Sequence, residues 1–268
     1  MGADTKKLRS RIKSVNSTLH LTKAMGLVAS SKIRRATDSM NKGREYSNAL
    51  GETISQLTAS PECDRSPYMA QRETKRTKII VIAGDRGLAG GYNANVFRFA
   101  KDYPDAEFIP IGKRANERFG GEQFLAEKYS YADAIKLART LCEEFANEGF
   151  DKLGIIGTKY VSMMSQVPQI KWLLPLTREE KQGENHSMIF EPDEITVLNS
   201  AVLEYIAGMI MTYVKESYAS EVAARRMAMD SAGKNAQTMI DDLSLAYNRA
   251  RQGAITQEIT EIVAGSGE

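Results

Sequence analysis

The residues best suited to do chemistry form one short run, Gly84-Asp85-Arg86-Gly87-Leu88-Ala89-Gly90-Gly91-Tyr92-Asn93. A glycine-rich turn leading from a strand into a helix N-terminus can hold a phosphate, since free backbone amides and the helix dipole both favour an anion. The match to phosphate loops is poor. No G-x-G-x-x-G is present, and no G-K-[ST] follows at P-loop spacing. The glycines read as a tight turn, with Asn93 capping the following helix and Asp85 and Arg86 able to form an internal ion pair. An anion or nucleotide site stands as the alternative.

Elsewhere the candidates thin out. Cys63 and Cys142 fit neither a metal spacing nor a disulfide framework and point to isolated thiols in a reducing cytosol. His20 and His186 are the two histidines, far apart and without ligand-like neighbours. No combination of general base, nucleophile and oxyanion donors can be assembled. The expectation is a chain with no catalytic group, no metal ligands and no bound cofactor of its own.

The elements that carry these residues are set by proline. All seven prolines lie between Pro61 and Pro192. Proline breaks helix interiors, and both proline-free ends show helical spacing of apolar residues. The pattern predicts a long helix at each terminus, over 1–60 and 193–268, flanking a central domain over 61–192. At about 1.5 Å per residue, a helix of roughly seventy residues runs about 100 Å. A compact globule of this chain length would be only about 50 Å across. Such helices must project as a shaft, stalk or bridge.

Within the first helix a seam steps alternately by four and three through Leu8, Ile12, Val15, Leu19, Thr22, Gly26, Ala29, Ile33, Ala36, Met40, Gly43, Ser47, Leu50, Ile54 and Leu57. A 3.5-residue repeat is the signature of a left-handed coiled coil. Asp4 reads as its N-cap, and the helix stops near Ser60-Pro61, because a residue before proline is pushed out of the helical region. The C-terminal helix steps through Ile195, Leu198, Val202, Tyr205 and Met209. It then carries Ala224, Ala228, Ala232 and Ala236, and resumes with Met239, Leu243, Ala246 and Ala250. Ile255, Ile259 and Ile262 add an apolar stripe at its end. Eleven lysines and arginines against Asp4 and Asp38 make residues 1–44 basic, whereas residues 195–268 are mildly acidic. Antiparallel pairing of the two helices follows from topology and charge; a basic coiled-coil nucleic-acid binder is the alternative that the charge leaves open.

The centre alternates strands and helices. Lys78–Ala83, Glu107–Gly112 and Lys152–Gly157 read as strands, Ile170–Leu176 as a fourth, with helices at Asn93–Asp102 and Tyr131–Asn147. The fold class is mixed α+β and α/β: a long antiparallel coiled coil of the terminal helices plus a small open, Rossmann-like α/β domain with mostly parallel strands. No apolar run approaches the roughly twenty residues a membrane helix needs, and the N-terminus has no secretory pattern.

Three stretches together are specific. Arg11–Val15, Thr22–Met25 and Val28–Lys32 form the first. The second is Asp85-Arg86-Gly87-Leu88-x-Gly90-Gly91-x-Asn93. The third is Ser220-Glu221-x-Ala223-Ala224-Arg225 followed by Tyr247-Asn248-x-Ala250-Arg251-Gln252-x-x-Ile255-Thr256-Gln257-Glu258-Ile259-x-Glu261-Ile262-Val263. In order, over nearly the whole chain, they resemble the gamma subunit of F-type ATP synthases, of the bacterial type.

That resemblance implies a central-stalk rotor, present in one copy per complex and not an enzyme by itself. Its coiled coil would enter the hexamer of alpha and beta subunits, while the α/β domain packs with the epsilon subunit against the c-ring. It would lie at the cytoplasmic face of the plasma membrane, touching the membrane only through the complex, with no nucleic-acid partner. Carried over residue by residue, Lys23, Met25, Glu221, Arg225, Arg251, Gln252 and Thr256 fall on positions that contact the catalytic subunits. Phe190 and Glu191 fall at the foot facing the ring. Asp85, Arg86, Gly87, Gly90 and Gly91 form the central glycine motif. The chain departs from the family at Ala89, where cysteine is frequent, at Arg226, usually apolar, and at Gly233-Lys234, usually Thr-Asp. No cysteine-bearing regulatory insertion interrupts the centre.

Overall fold

The computed structural model describes residues 2–122, 124–178 and 190–265; His186 lies outside the described residues. Helix α1 runs Gly2–Thr58 and helix α5 runs Glu194–Gly265. Between them lie β1 (Thr77–Ile82), α2 (Tyr92–Ala100), β2 (Glu107–Ile111), α3 (Lys113–Phe119), α4 (Tyr131–Ala146), β3 (Lys152–Tyr160) and β4 (Gln166–Leu174). The contacts divide the chain into two compact units: Met1–Ser30 with Arg225–Glu268, and Ser31–Ala224.

The larger unit is built on a four-stranded sheet of order β2-β1-β3-β4. The first three strands are parallel, and β4 turns back antiparallel on β3. Parallel strands need both faces covered, which explains their unbroken apolar character. One face, with Ile80, Ile82, Leu153 and Ile155, packs against α4, the end of α1 and the first half of α5. The other, with Ile79, Val81 and Ile156, packs against Val96 and Ala100 of α2 and Ala115 of α3. Within this unit α1 and α5 are antiparallel neighbours: Gly43 lies by Thr212 and Lys215, and Tyr46 and Leu50 lie by Gly208. The approach at Gly208 is close. A Cβ there would stand 3.0 Å from the Tyr46 ring and nearer still to Leu50.

The smaller unit is the same antiparallel pair. Leu19 and Thr22 lie by Gly233, and Gly26 lies by Met229 and Arg226. Every position of the seam from Leu8 to Leu57 is buried or half-buried, so the four-three alternation identified the packed edge of α1. In α5 the seam differs from expectation. Met239 is 45% exposed and Ala246 is also exposed. The step after Ala236 is four residues rather than three, and the packed edge passes through Ile240, Leu243, Tyr247, Ala250 and Ala254.

Other details correct the sequence reading. Asp4 lies inside the first turn of a helix already formed at Gly2, where its charge favours the positive helix end, so it is not the cap. α1 ends at Thr58, and Ser60 is extended (φ −72°, ψ 131°) as the following Pro61 requires. Helix α3 was not expected from the periodicity. It starts after Gly112, whose φ of 102° suits glycine and whose position leaves no room for a side chain: a Cβ would lie 2.0 Å from the Ala83 carbonyl oxygen. Contrary to the reading that no apolar run nears membrane length, α5 contains an 18-residue window of mean hydropathy 1.4. Half of that window is buried in the protein. The apolarity of α5 goes into the core, through residues such as Leu198, Val202, Ile206 and Ile210.

Candidate functional site

β1 delivers the chain directly into the glycine turn, and the turn is closed by its own side chains. Gly84 N–H donates to Asn93 Oδ1 (2.9 Å), and Asn93 Nδ2 donates to the Arg86 carbonyl (3.3 Å). Leu88 (φ 62°) and Gly90 (φ 58°) take left-handed conformations that turn the chain toward α2. Gly91, without a side-chain bond, is the cap of α2. Asn93 therefore braces the turn instead of capping the helix, because its amide reaches back to the strand end.

Asp85 carries the main consequence. Its Oδ1 accepts from the amides of Lys113 (3.0 Å) and Ala126 (2.9 Å), and its Oδ2 accepts from the amide of Glu127 (2.9 Å). The Asp85 carboxylate is held by these three backbone donors, and Arg86 pairs with Glu127 at 3.4 Å. A carboxylate with three amide donors is an anion site already filled by the chain itself. This is the opposite of a vacant phosphate cradle. Gly84, also part of the turn, meets α5 so closely that a Cβ would lie 2.6 Å from Glu221 Cδ.

Two acidic side chains then join the terminal helices to the α/β layers. Glu127 Oε1 accepts from Lys32 Nζ of α1 (2.5 Å) and from Tyr218 Oη of α5 (3.1 Å). The bond from Lys32 holds the Glu127 carboxyl below its usual range and raises the Lys32 ammonium in turn. Glu216 Oε1 accepts from Arg44 (2.6 Å) and from the Tyr160 amide (3.0 Å), while Arg44 also donates to the Tyr160 carbonyl (2.9 Å). Beside it, Tyr92 Oη donates to the Ser217 carbonyl (2.9 Å), and Ser217 Oγ accepts from the Thr158 amide (3.0 Å). α5 is thereby fastened to both β3 and α2. Neither hub was visible in the sequence. Lys32 and Glu127 are separated by 95 positions and Arg44 and Glu216 by 172, with no local pattern to pair them.

The candidate contact residues fall into two groups. Lys23, Arg251, Gln252 and Thr256 are exposed, and Met25 and Arg225 are half-buried, all in the smaller unit. Thr256 Oγ1 donates to the Gln252 carbonyl (3.0 Å), so its hydroxyl is turned onto its own helix. Beyond them Ile255, Ile259, Ile262 and Val263 are 43%, 56%, 69% and 65% exposed, an apolar face too large to be incidental. Glu221 belongs to the larger unit and is only 3% exposed, packed against Gly84. Phe190 is half-buried against the main core and Glu191 is exposed. Cys63 and Cys142 are free and buried, and burial pushes the Cys142 thiol up to about 12. Among the described residues no group of three or more His, Cys, Asp or Glu could hold a metal ion.

Against known proteins, the family model described as ATP synthase matches residues 4–267. A protein of Ruminococcus albus described as ATP synthase gamma chain is 40% identical over 281 aligned positions, covering 98% of each chain. Among solved structures, a chain of the central stalk and c-ring of the Tetrahymena thermophila mitochondrial ATP synthase superposes with a TM-score of 0.63 at 22% identity, covering 79% of this chain and 99% of that one. A chain of the Euglena gracilis mitochondrial ATP synthase, in rotational state 3, gives 0.69 at 18% identity, covering 98% and 94%. At these identities the two structures speak to a shared fold.

Proposed function

The chain belongs to the gamma-chain family of ATP synthase, and from that premise we propose how it works as the central-stalk subunit of a membrane-associated complex. The paired helices enter a hexamer of alternating alpha and beta subunits, and the α/β domain stands with an epsilon subunit against the c-ring. One copy serves each complex, at the cytoplasmic face of a bacterial plasma membrane. The chain supplies no catalytic group and no cofactor. It reaches the membrane only through its partners and does not bind nucleic acid.

A single chain has no three-fold symmetry, so at any orientation it offers different side chains to each of three catalytic sites. Differential contact is what shifts a conformational equilibrium. Moving a site from one part in a hundred to ninety-nine takes roughly 5.5 kcal/mol of preference between its two states. A few hydrogen bonds and one buried apolar side chain supply that amount. Rotation changes which site receives it. Ion flow through the ring drives the rotation in synthesis, and ATP hydrolysis drives it in reverse.

The observation that carries this reading is the end of α5. Arg251, Gln252 and Thr256 are exposed beside the uncovered Ile255, Ile259, Ile262 and Val263. An apolar end with a polar collar suits a sleeve that it can turn within. Co-expression with catalytic alpha and beta subunits tests it, with recovery of one copy in an ATPase-active hexamer expected. In the complete complex with its c-ring, reconstituted in membrane vesicles, Arg251→Ala and Gln252→Ala should lower ATP-driven proton pumping while the chain remains folded. A chain that fails to associate, or full pumping by both variants, would count against the assignment.

A further inference from the structure

The pairing of β1 with β3 runs as far as Val81 beside Ile156, yet β3 continues to Tyr160. Past that point side chains meet the strand's backbone instead. The Thr158 amide donates to Ser217 Oγ (3.0 Å), and the Thr158 carbonyl accepts from Ser220 Oγ (3.2 Å). Two residues on, the Tyr160 amide donates to Glu216 Oε1 (3.0 Å), and the Tyr160 carbonyl accepts from Arg44 (2.9 Å), itself paired with Glu216 at 2.6 Å. A two-residue spacing is that of successive ladder bonds along one side of a strand, so α5, helped by α1, stands in for the missing neighbour. Thr158, Glu216, Ser217 and Ser220 are all buried. Gly157 permits the approach: a Cβ there would lie 2.7 Å from the Tyr213 ring and 3.0 Å from Ser217 Oγ.

Most of what holds this half of α5 is apolar packing, through residues such as Leu198, Val202, Ile206 and Ile210. Apolar contact is non-directional, so it fixes a small turn or slide of the helix less sharply than polar bonds do. Hydrogen bonds weaken steeply as their angle opens, and a buried backbone group that loses one has no water to replace it. We infer that the four bonds to Thr158 and Tyr160 are the lock that sets the angle of α5 on the sheet of the larger unit. Glu216, Ser217 and Ser220 are then positioning residues for the coupling of rotation to ATP turnover. This role rests on the rotor reading, in which torque passes between α5 and the α/β domain. The end of β3 is where directional bonds carry it.

The test follows single complexes of the full chain with catalytic alpha and beta subunits, the hexamer immobilised. A rotation probe is attached to the α/β domain through Met164→Cys, a position 82% exposed, while both native thiols are buried. During ATP hydrolysis the parent should turn and pause at discrete angles. Ser217→Ala with Ser220→Ala removes two of the four bonds, so the joint should lose up to half its stiffness and the variance of the pause angle should rise up to about twofold. Glu216→Gln keeps an oxygen for the Tyr160 amide but drops the charge facing Arg44; it should widen the pause less, and it decides the matter if the double variant does not assemble. Val202→Ala is the control. It removes buried methyl groups from the same helix and lowers stability, yet should leave the width at the parent's value. Parent-like widths in the lock variants, or equal widening by Val202→Ala, would overturn the lock while the parent still turns. A parent that does not assemble or turn would refute the rotor reading, and the coupling role with it.

Discussion

Replacing Asp85 with alanine should destabilise the larger unit more than removal of a single part-exposed carboxylate ordinarily does. The side chain accepts three amide bonds at 2.9–3.0 Å and joins the start of α3 to the segment at Ala126 and Glu127. A hydrogen bond to a charged group contributes about 1.5–3 kcal/mol, but neighbouring bonds do not add fully. The amides of Lys113 and Glu127 lie toward solvent and would regain water, whereas that of Ala126 is part-buried and would not. The expected loss is about 3 kcal/mol for Asp85→Ala. Asp85→Asn keeps an oxygen for Lys113 and Ala126 but turns an amide donor onto the Glu127 N–H, for a loss of about 1–2 kcal/mol. Trp172, the only tryptophan, sits in β4 of the same unit and reports its unfolding by fluorescence. With a urea slope near 2 kcal/mol/M, the alanine midpoint should fall by about 1.5 M and the asparagine midpoint by about half that. An alanine variant that loses under about 1 kcal/mol, or an asparagine variant that loses as much as alanine, would refute the view that this carboxylate organises the motif.

Three more outcomes follow from the same structure. Gly112→Ala should cost at least about 3 kcal/mol, because it forces both a left-handed backbone and a clash with the Ala83 carbonyl; thermal unfolding by circular dichroism will show a much smaller loss if the turn can relax. Burial raises both thiols, Cys142 to about 12, so at pH 8 the native chain should react with a thiol reagent only as fast as it opens; rapid labelling of two thiols before unfolding would contradict the packing. The Glu127 pKa is lowered in the folded state, so its contribution is complete above the ordinary glutamate value near ~4.3 and is lost as pH falls through the lower folded value. Glu127→Gln should flatten that acid limb in a pH series of urea midpoints, and an unchanged limb would mean that the Lys32 and Tyr218 bonds contribute nothing.

Much of the fold was legible in the chain because the information is local. Proline's absence set the extent of α1 and α5, and the four-three seam from Leu8 to Leu57 named the packed edge of α1 residue by residue. β-branched runs located β1, β2 and β3 to within a few residues. A helix or strand is specified by neighbours a few positions apart, so periodicity alone can reveal it. The motif at the end of α5 was equally legible, because its residues follow one another on one helix.

Only the folded chain decided what those residues touch. Asp85 sits beside Arg86 in sequence, yet its carboxylate accepts from amides 28, 41 and 42 positions away, since the fold brings those backbone donors to its two oxygens. Glu221 sits in a motif that suggests a surface contact but is buried against Gly84, because glycine lets α5 approach the turn. Local spacing fixes which face of an element is apolar. Which distant polar group meets which is settled only when burial makes every donor find an acceptor.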